Sequence, residues 1–235
     1  MATPQTPDSL EMAEIAQSRS LLYSLVILPF AALPDPGFAE TVMNEEFISV
    51  LDHLAQEAET PEDIRAGSRL MLEDLRSWSI TDIARLSETL GVERTRLYRG
   101  VAPGYGPPPP LEAVWTTRKG PVPVILQNLA EFYQHSGLAL AADLNERPDN
   151  ISVELEFQRQ LVLREAESWR QQNPEKAGEQ IRLQFAFLTG HLLQWTPRFI
   201  EEALAQAQTG FYQGHLRILR GLLADELAYL QPLAQ

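Results

Sequence analysis

Carboxylates crowd the stretch between residues 143 and 156: Asp143, Glu146, Asp149, Glu154 and Glu156. Two readings fit them. They form a solvated surface with helix caps, or they accept guanidinium groups in the planar fork that selects arginine over lysine. No catalytic partner set accompanies them. The chain has no Cys, which removes thiolate catalysis, disulfides and cysteine-ligated clusters together. Its four histidines, His53, His135, His191 and His215, are scattered and lack metal-ligand spacing. There is no phosphate loop ending in Gly-Lys-Ser/Thr and no Gly-x-Ser-x-Gly elbow. Gly100, Gly104 and Gly106 lack the lysine and the strand-to-helix setting that such a loop needs. The residues therefore predict a binding protein without catalytic residues, cofactor or metal.

The carboxylates need elements to hold them, and those elements are helices. Apolar residues recur at spacings of three and four, and long alternation is absent, so the pattern predicts an all-α chain of about ten helices. One helix fits Ser9 to about Leu28, stopped by Pro29 and Pro34. Another runs from Pro36 or Phe38 to Glu57. Thr60-Pro61-Glu62-Asp63 has cap, first-turn proline and first-turn acids in order, opening a helix that reaches about Trp78. The next begins near Ser79 or Thr81 and ends at Tyr98. Residues 100–123 hold seven of the 17 prolines, including the run Pro107 to Pro110, and predict a long loop with polyproline II character. Helix returns from about Val122 to Ser136. An acidic connector covers 141–149. Pro148 biases Arg147 away from helix, and Asp149 or Asn150 then caps the helix that starts at Ile151. Further helices fit Lys176 to Gln194, Arg198 to Gln208, and a last one carrying Tyr212, Leu216, Leu219, Leu223 and Leu230. The organisation is thus an N-terminal portion over 1–140, a hinge over 141–149 and a C-terminal portion over 150–235.

Charge narrows the partners. The net charge of −13 is opposite in sign to what phosphate neutralisation asks of a nucleic-acid binder, and it favours basic partners. The apolar run Leu21 to Leu33 follows Asp8, Glu11 and Glu14, where a secretory signal carries positive charge, and it is too short to span a bilayer. A cytoplasmic location is expected. One segment speaks for DNA: Ile80 to Tyr98 reads like a helix-turn-helix with its turn at Gly91 and Arg94 and Arg96 on the second helix. A transcriptional regulator is the alternative this segment supports. It needs Arg94, Arg96 and Arg99 exposed together, and no second basic patch flanks them.

The stretch Glu146-Arg147-Pro148-Asp149-Asn150-Ile151-Ser152-Val153-Glu154-Leu155-Glu156-Phe157 resembles the Glu-x-Pro-Asp-His-Ile-x-x-Glu-Leu-x-Phe signature of the TorD/DmsD/NarJ-type chaperones of molybdenum enzymes. Other stretches extend the likeness in the same order. Thr95 to Gly100 resembles that family's Thr-Arg-Leu-Phe-x-Gly step, and Gly106 to Trp115 takes the place of its proline-rich loop and aromatic segment. Glu131-Phe132-Tyr133 with Gly137-Leu138, His191 to Phe199, and Phe211-Tyr212 complete it, over about residues 10 to 230. The departures are Leu111 for an aromatic, Ala113 for Ser, Asn150 for His and Gln158 for Met. Asn150 cannot gain a proton near neutral pH, so a histidine-based pH response is not expected there.

The resemblance implies a TorD-like helical bundle and a cytoplasmic, enzyme-specific chaperone. Its partner would be a molybdopterin oxidoreductase subunit, bound by its twin-arginine leader, its body or both, and held until cofactor insertion and export. Glu146, Asp149, Asn150 and Glu154 would meet the leader's arginines, while Tyr98, Pro110, Leu111 and Trp115 would line an apolar groove. Ordinary core packing is the other reading of Tyr98 and Trp115. His191 and Trp195 read as structural. The connector is long enough to fold back, so a monomer with a minor domain-swapped dimer is expected.

Overall fold

The computed structural model describes residues 8–100, 104–116, 121–138 and 146–234. Among these residues the architecture is all-α, as the apolar spacing predicts. Its helices are α1 (Ser9–Ala31), α2 (Pro36–Met43), α3 (Glu45–Gln56), α4 (Glu62–Arg76), α5 (Ile83–Tyr98), α6 (Glu112–Trp115), α7 (Val122–His135), α8 (Ile151–Arg170), α9 (Pro174–Gly190), α10 (Thr196–Leu204) and α11 (Gly210–Leu233). Single 3-10 turns precede α5 and follow α9. Part of the expected hinge, residues 141–145, lies outside the described residues, as do 101–103 and 117–120 of the proline-rich loop.

Local chemistry explains where the helices differ from the periodicity. Pro29 lies inside α1 rather than ending it. It sits in the last turn, and the helix closes where the Ala32 N–H bonds to the Leu28 carbonyl. The helix expected over 36–57 is two helices, because the Asn44 side chain accepts from the Phe47 N–H at 2.7 Å and starts α3 afresh. Ser79 and Asp82 form a reciprocal capping box ahead of α5. Gly91 is no turn: α5 runs through it unbroken.

Helices of the N-terminal portion pack on those of the C-terminal portion, α1 against α8 and α4 against α11, and the buried apolar side chains form one cluster. A buried charge joins four helices. Arg19 of α1 donates to Glu226 of α11 at 2.6 Å, to Glu165 of α8 at 2.8 Å and to Gln184 of α9 at 2.6 Å. Desolvating these ions is costly, and the multiple hydrogen bonds offset that cost. Glycines let α4 and α11 touch backbone to backbone. A Cβ on Gly67 would stand 2.6 Å from the Gly214 carbonyl oxygen, and one on Gly214 would overlap the Gly67 carbonyl. One heptad along α11, a Cβ on Gly221 would stand 2.7 Å from the Ile64 side chain.

Two glycine substitutions therefore act in opposite directions. Gly214→Ala overpacks the crossing and should cost about 1–3 kcal/mol. Gly91→Ala meets only the Pro34 carbonyl, 3.9 Å away, and should stabilise α5 by roughly 0.5–1 kcal/mol. Urea unfolding of the two variants checks both signs. A destabilised Gly91→Ala would contradict the unbroken helix.

Candidate functional site

The proline-rich loop is folded against the end of α5 by two glycines. Gly100 takes φ +57°, the left-handed cap that ends α5, and a Cβ there would stand 2.5 Å from Pro109. Gly106 lies against the Arg96 carbonyl so closely that a Cβ would collide with it. The loop thereby carries Pro107 to Pro110 across to the start of α8. There it is laced to the end of the connector. The Pro110 carbonyl accepts the Ile151 N–H at 3.0 Å, the Asp149 carbonyl accepts the Glu112 N–H at 2.9 Å, and Leu111 pairs with Asn150 as an isolated antiparallel bridge. Backbone donors at the starts of both α6 and α8 are thus satisfied across the seam rather than within their own segments.

Asp149 fixes the seam. Its side chain is fully buried. Oδ2 accepts the Ala113 N–H at 3.2 Å, and the guanidinium of Arg147 closes on both oxygens, Nε to Oδ1 and Nη2 to Oδ2, each at 2.8 Å. The fork that the acidic stretch predicts for an arginine is present, filled from the same chain. Asn150, not Asp149, caps α8: its Oδ1 accepts the Ser152 N–H at 3.0 Å, while its Nδ2 donates to the exposed Glu146 at 3.1 Å. The Tyr133 hydroxyl donates to the Pro148 carbonyl at 2.9 Å. Burial, with Glu154, Glu112 and Asp149 nearby, pushes the Tyr133 phenol well above its ordinary range.

The structure brings Pro110, Leu111, Trp115, Glu146, Asp149 and Asn150 together along this seam. Of these, Pro110, Trp115 and Asp149 are buried, so Pro110 and Trp115 line no open groove, and the other expected site residues, Tyr98 and Glu154, lie in the interior. Tyr98 does not line an open groove: it is buried, its hydroxyl 2.9 Å from His215 Nδ1, with Phe30, Phe199 and Tyr212 packed around its ring. Glu154 is also interior and accepts the Trp195 indole N–H at 3.2 Å. Trp115 packs edge-on against Phe199 and donates to the Pro109 carbonyl at 2.9 Å, with the Arg198 guanidinium 5.7 Å from its ring centroid. His191 hydrogen-bonds Glu112 at 3.0 Å and stacks on Phe187, the structural part its setting predicts. The sequence reading missed Arg147, whose only signal was its place two residues before Asp149 across a proline. It also missed exposed Val114, next to the Ala113 amide that Asp149 holds.

The helix-turn-helix alternative fails on geometry. Besides the unbroken α5, Arg94 is buried and donates to the carbonyls of Pro29 and Phe30. Arg96 donates to the Gln206 carbonyl at 2.6 Å. Of the three basic side chains that such a reader needs on its surface, Arg94 and Arg96 are already committed inside the fold. No group of acidic or histidine side chains able to hold a metal occurs among the described residues, and no described helix is long and apolar enough to cross a membrane.

Comparison with known proteins covers this site. The family model for the nitrate reductase delta subunit matches residues 61–201, which include the whole seam. The chain is similar to "Chaperone protein TorD" of Photobacterium profundum, 28% identical over 104 residues, 44% of this chain and 47% of that protein. The corresponding protein of Aliivibrio fischeri matches to the same extent. A "Perchlorate reductase assembly chaperone protein" of Dechloromonas aromatica is 32% identical over 90 residues, 38% of this chain and 39% of that protein. The chain spans about half the length of the curated relatives it matches.

The buried histidine gives a pH prediction. His215 Nε2–H donates to the Val26 carbonyl at 2.8 Å, Nδ1 of the neutral ring accepts from the Tyr98 hydroxyl, and burial pushes its pKa down to about 4. Unfolded, it titrates near 6.5. Between those values the unfolded chain binds the extra proton, so stability falls as pH drops through this window, by about 1.4 kcal/mol per pH unit from this group. His215→Gln removes the effect. The stability gap between wild type and variant should shrink by roughly 2 kcal/mol from pH 7 to pH 5. A gap that does not change with pH would contradict a neutral buried His215. In the same measurements at pH 7, Asn150→Ala should cost about 0.5–2 kcal/mol through the lost cap.

Proposed function

The chain belongs to the nitrate reductase delta subunit family, and from that premise we propose that it is an assembly chaperone for a molybdopterin oxidoreductase subunit. The family match carries this reading, and the relatives named as TorD and perchlorate reductase assembly chaperones support it. In this reading the protein performs no catalysis. It works in the cytoplasm, holds the subunit while its cofactor is inserted, and takes hold of a twin-arginine leader as well as, or instead of, the subunit's body.

The seam supports the finer part of the proposal. A leader of this kind is basic at one end and apolar beyond it, and such a segment docks as a helix or extended strand with its apolar side on the protein. Glu146 supplies an exposed carboxylate, and Asp149 a buried one now paired with Arg147, on a seam that also carries Leu111 and the exposed Val114. The net charge of −13 attracts a basic segment to the protein at low salt. The two helical portions share one core, so a swapped dimer would reuse the α1–α8 and α4–α11 contacts. We propose a predominant monomer with slow exchange into such a dimer, which light scattering on fresh and aged samples would reveal.

Calorimetry tests leader recognition. A peptide carrying the client's twin-arginine leader should bind in the micromolar range, roughly −8 kcal/mol. Replacing both arginines by Gln, or raising the salt, should weaken it clearly. Equal affinity for the two peptides would remove the arginine part of the proposal and leave the family-level one.

A further inference from the structure

The Arg147–Asp149 pair is lopsided. The Asp149 carboxylate is 0% exposed, while the Arg147 side chain is 47% exposed. The carboxylate is built into the fold. Its oxygen holds the Ala113 N–H, its own carbonyl holds the Glu112 N–H, and Tyr133 holds the preceding Pro148 carbonyl. The cation is not built in. Among the described residues the Arg147 guanidinium hydrogen-bonds to Asp149 and to no other side chain. Its backbone is kept in place by the Asn150 N–H on the Arg147 carbonyl at 3.0 Å, so the side chain can swing out without unfolding the turn. What it would leave behind is a buried carboxylate with both oxygens shaped to a guanidinium fork, a geometry that an ammonium cannot reproduce.

We propose that Asp149 is a guanidinium receptor which Arg147 occupies from within, and that an arginine of the client binds by displacing the Arg147 side chain into solvent. This rests on the chaperone reading above and names the contact that reading leaves open. The exchange trades one fork for another, so it never strands the buried carboxylate, whose isolation would be costly. The exposed Val114 lies beside the receptor through Ala113, where the incoming chain continues. Because Arg147 is tethered two residues away, it competes at a high effective concentration, in the millimolar range or above. A single free arginine therefore binds the wild-type protein poorly, and selectivity falls to a segment that gains apolar contacts as well.

Removing the internal competitor tests this. Nα-acetyl-arginine amide, Nα-acetyl-lysine amide and the twin-arginine peptide would be titrated into wild type, Arg147→Gln and Arg147→Gln/Asp149→Asn, with melting curves on each. The single variant should bind the arginine amide and the peptide at least about tenfold more tightly than wild type. The lysine amide should show no gain, and the double variant should lose the gain. Arg147→Lys keeps the charge without the fork and carries the same comparison if Arg147→Gln does not fold. No gain for the arginine amide in a folded variant overturns the proposal, because Arg147 is then only a structural ion pair. A gain for the amide with no peptide binding upholds the receptor and sinks the leader reading. Peptide binding that is equal in wild type and variant, with no gain for the amide, upholds the leader reading and sinks the internal competitor.

Discussion

The start of α8 depends on a loop far back in the chain, and that dependence organises the seam proposed to meet the client. The first donor of α8, the Ile151 N–H, goes to the Pro110 carbonyl, and Asp149 grips the first amides of α6 in return. Backbone donors at a helix start are costly to bury unsatisfied. Here they are satisfied only if loop and connector lie side by side. A chain of prolines suits the task, since it is extended in advance and presents carbonyls without competing N–H donors. The connector's acidic residues and the loop's apolar residues are thereby placed on one seam by a requirement of folding, before any partner is present.

The arginines show how an acidic protein deploys its cations. Arg19 is sunk among Glu165, Glu226 and Gln184, Arg94 meets the carbonyls that end α1, and Arg147 covers Asp149. Each uses the flat, multi-donor head that lysine lacks. Arg19 and Arg94 are committed inward, while Arg147 stays half exposed; carboxylates such as Asp149, Glu165 and Glu226 are buried as well, so the negative excess that would attract a basic segment is that of the whole chain, −13. The same inward commitment is what disqualifies α5 as a DNA reader, even though its residues imitate one.

Much of this was legible in the sequence because helix periodicity and caps are local. The start of α8 after Asn150 and the end of α7 before Gly137 follow from neighbouring residues, whereas at α4 the cap position falls on Pro61 rather than Thr60, with no side-chain capping bond. What was not legible depends on residues distant in sequence. Gly91 reads either as helix interior or as the turn of a helix-turn-helix until the unbroken α5 decides. Tyr98 reads equally as groove or core until His215 meets its hydroxyl. Gly67 and Gly214 look like ordinary weak points in helices, and only their mutual approach explains them. Within the site, the carboxylates were found by type and spacing. The choice of Asn150 as cap and Asp149 as brace needed the loop's amides, which pattern alone does not place.

A client held at the seam, as proposed, must shield the seam's amides. Hydrogen–deuterium exchange on the protein, alone and with the molybdopterin oxidoreductase subunit proposed as its client, reads this directly. Slower exchange on binding is predicted for the amides of Leu111 to Thr116 and of Glu146 to Val153, with the α4–α11 crossing unchanged. Protection confined to another face, with both halves of the seam exchanging as before, would contradict it.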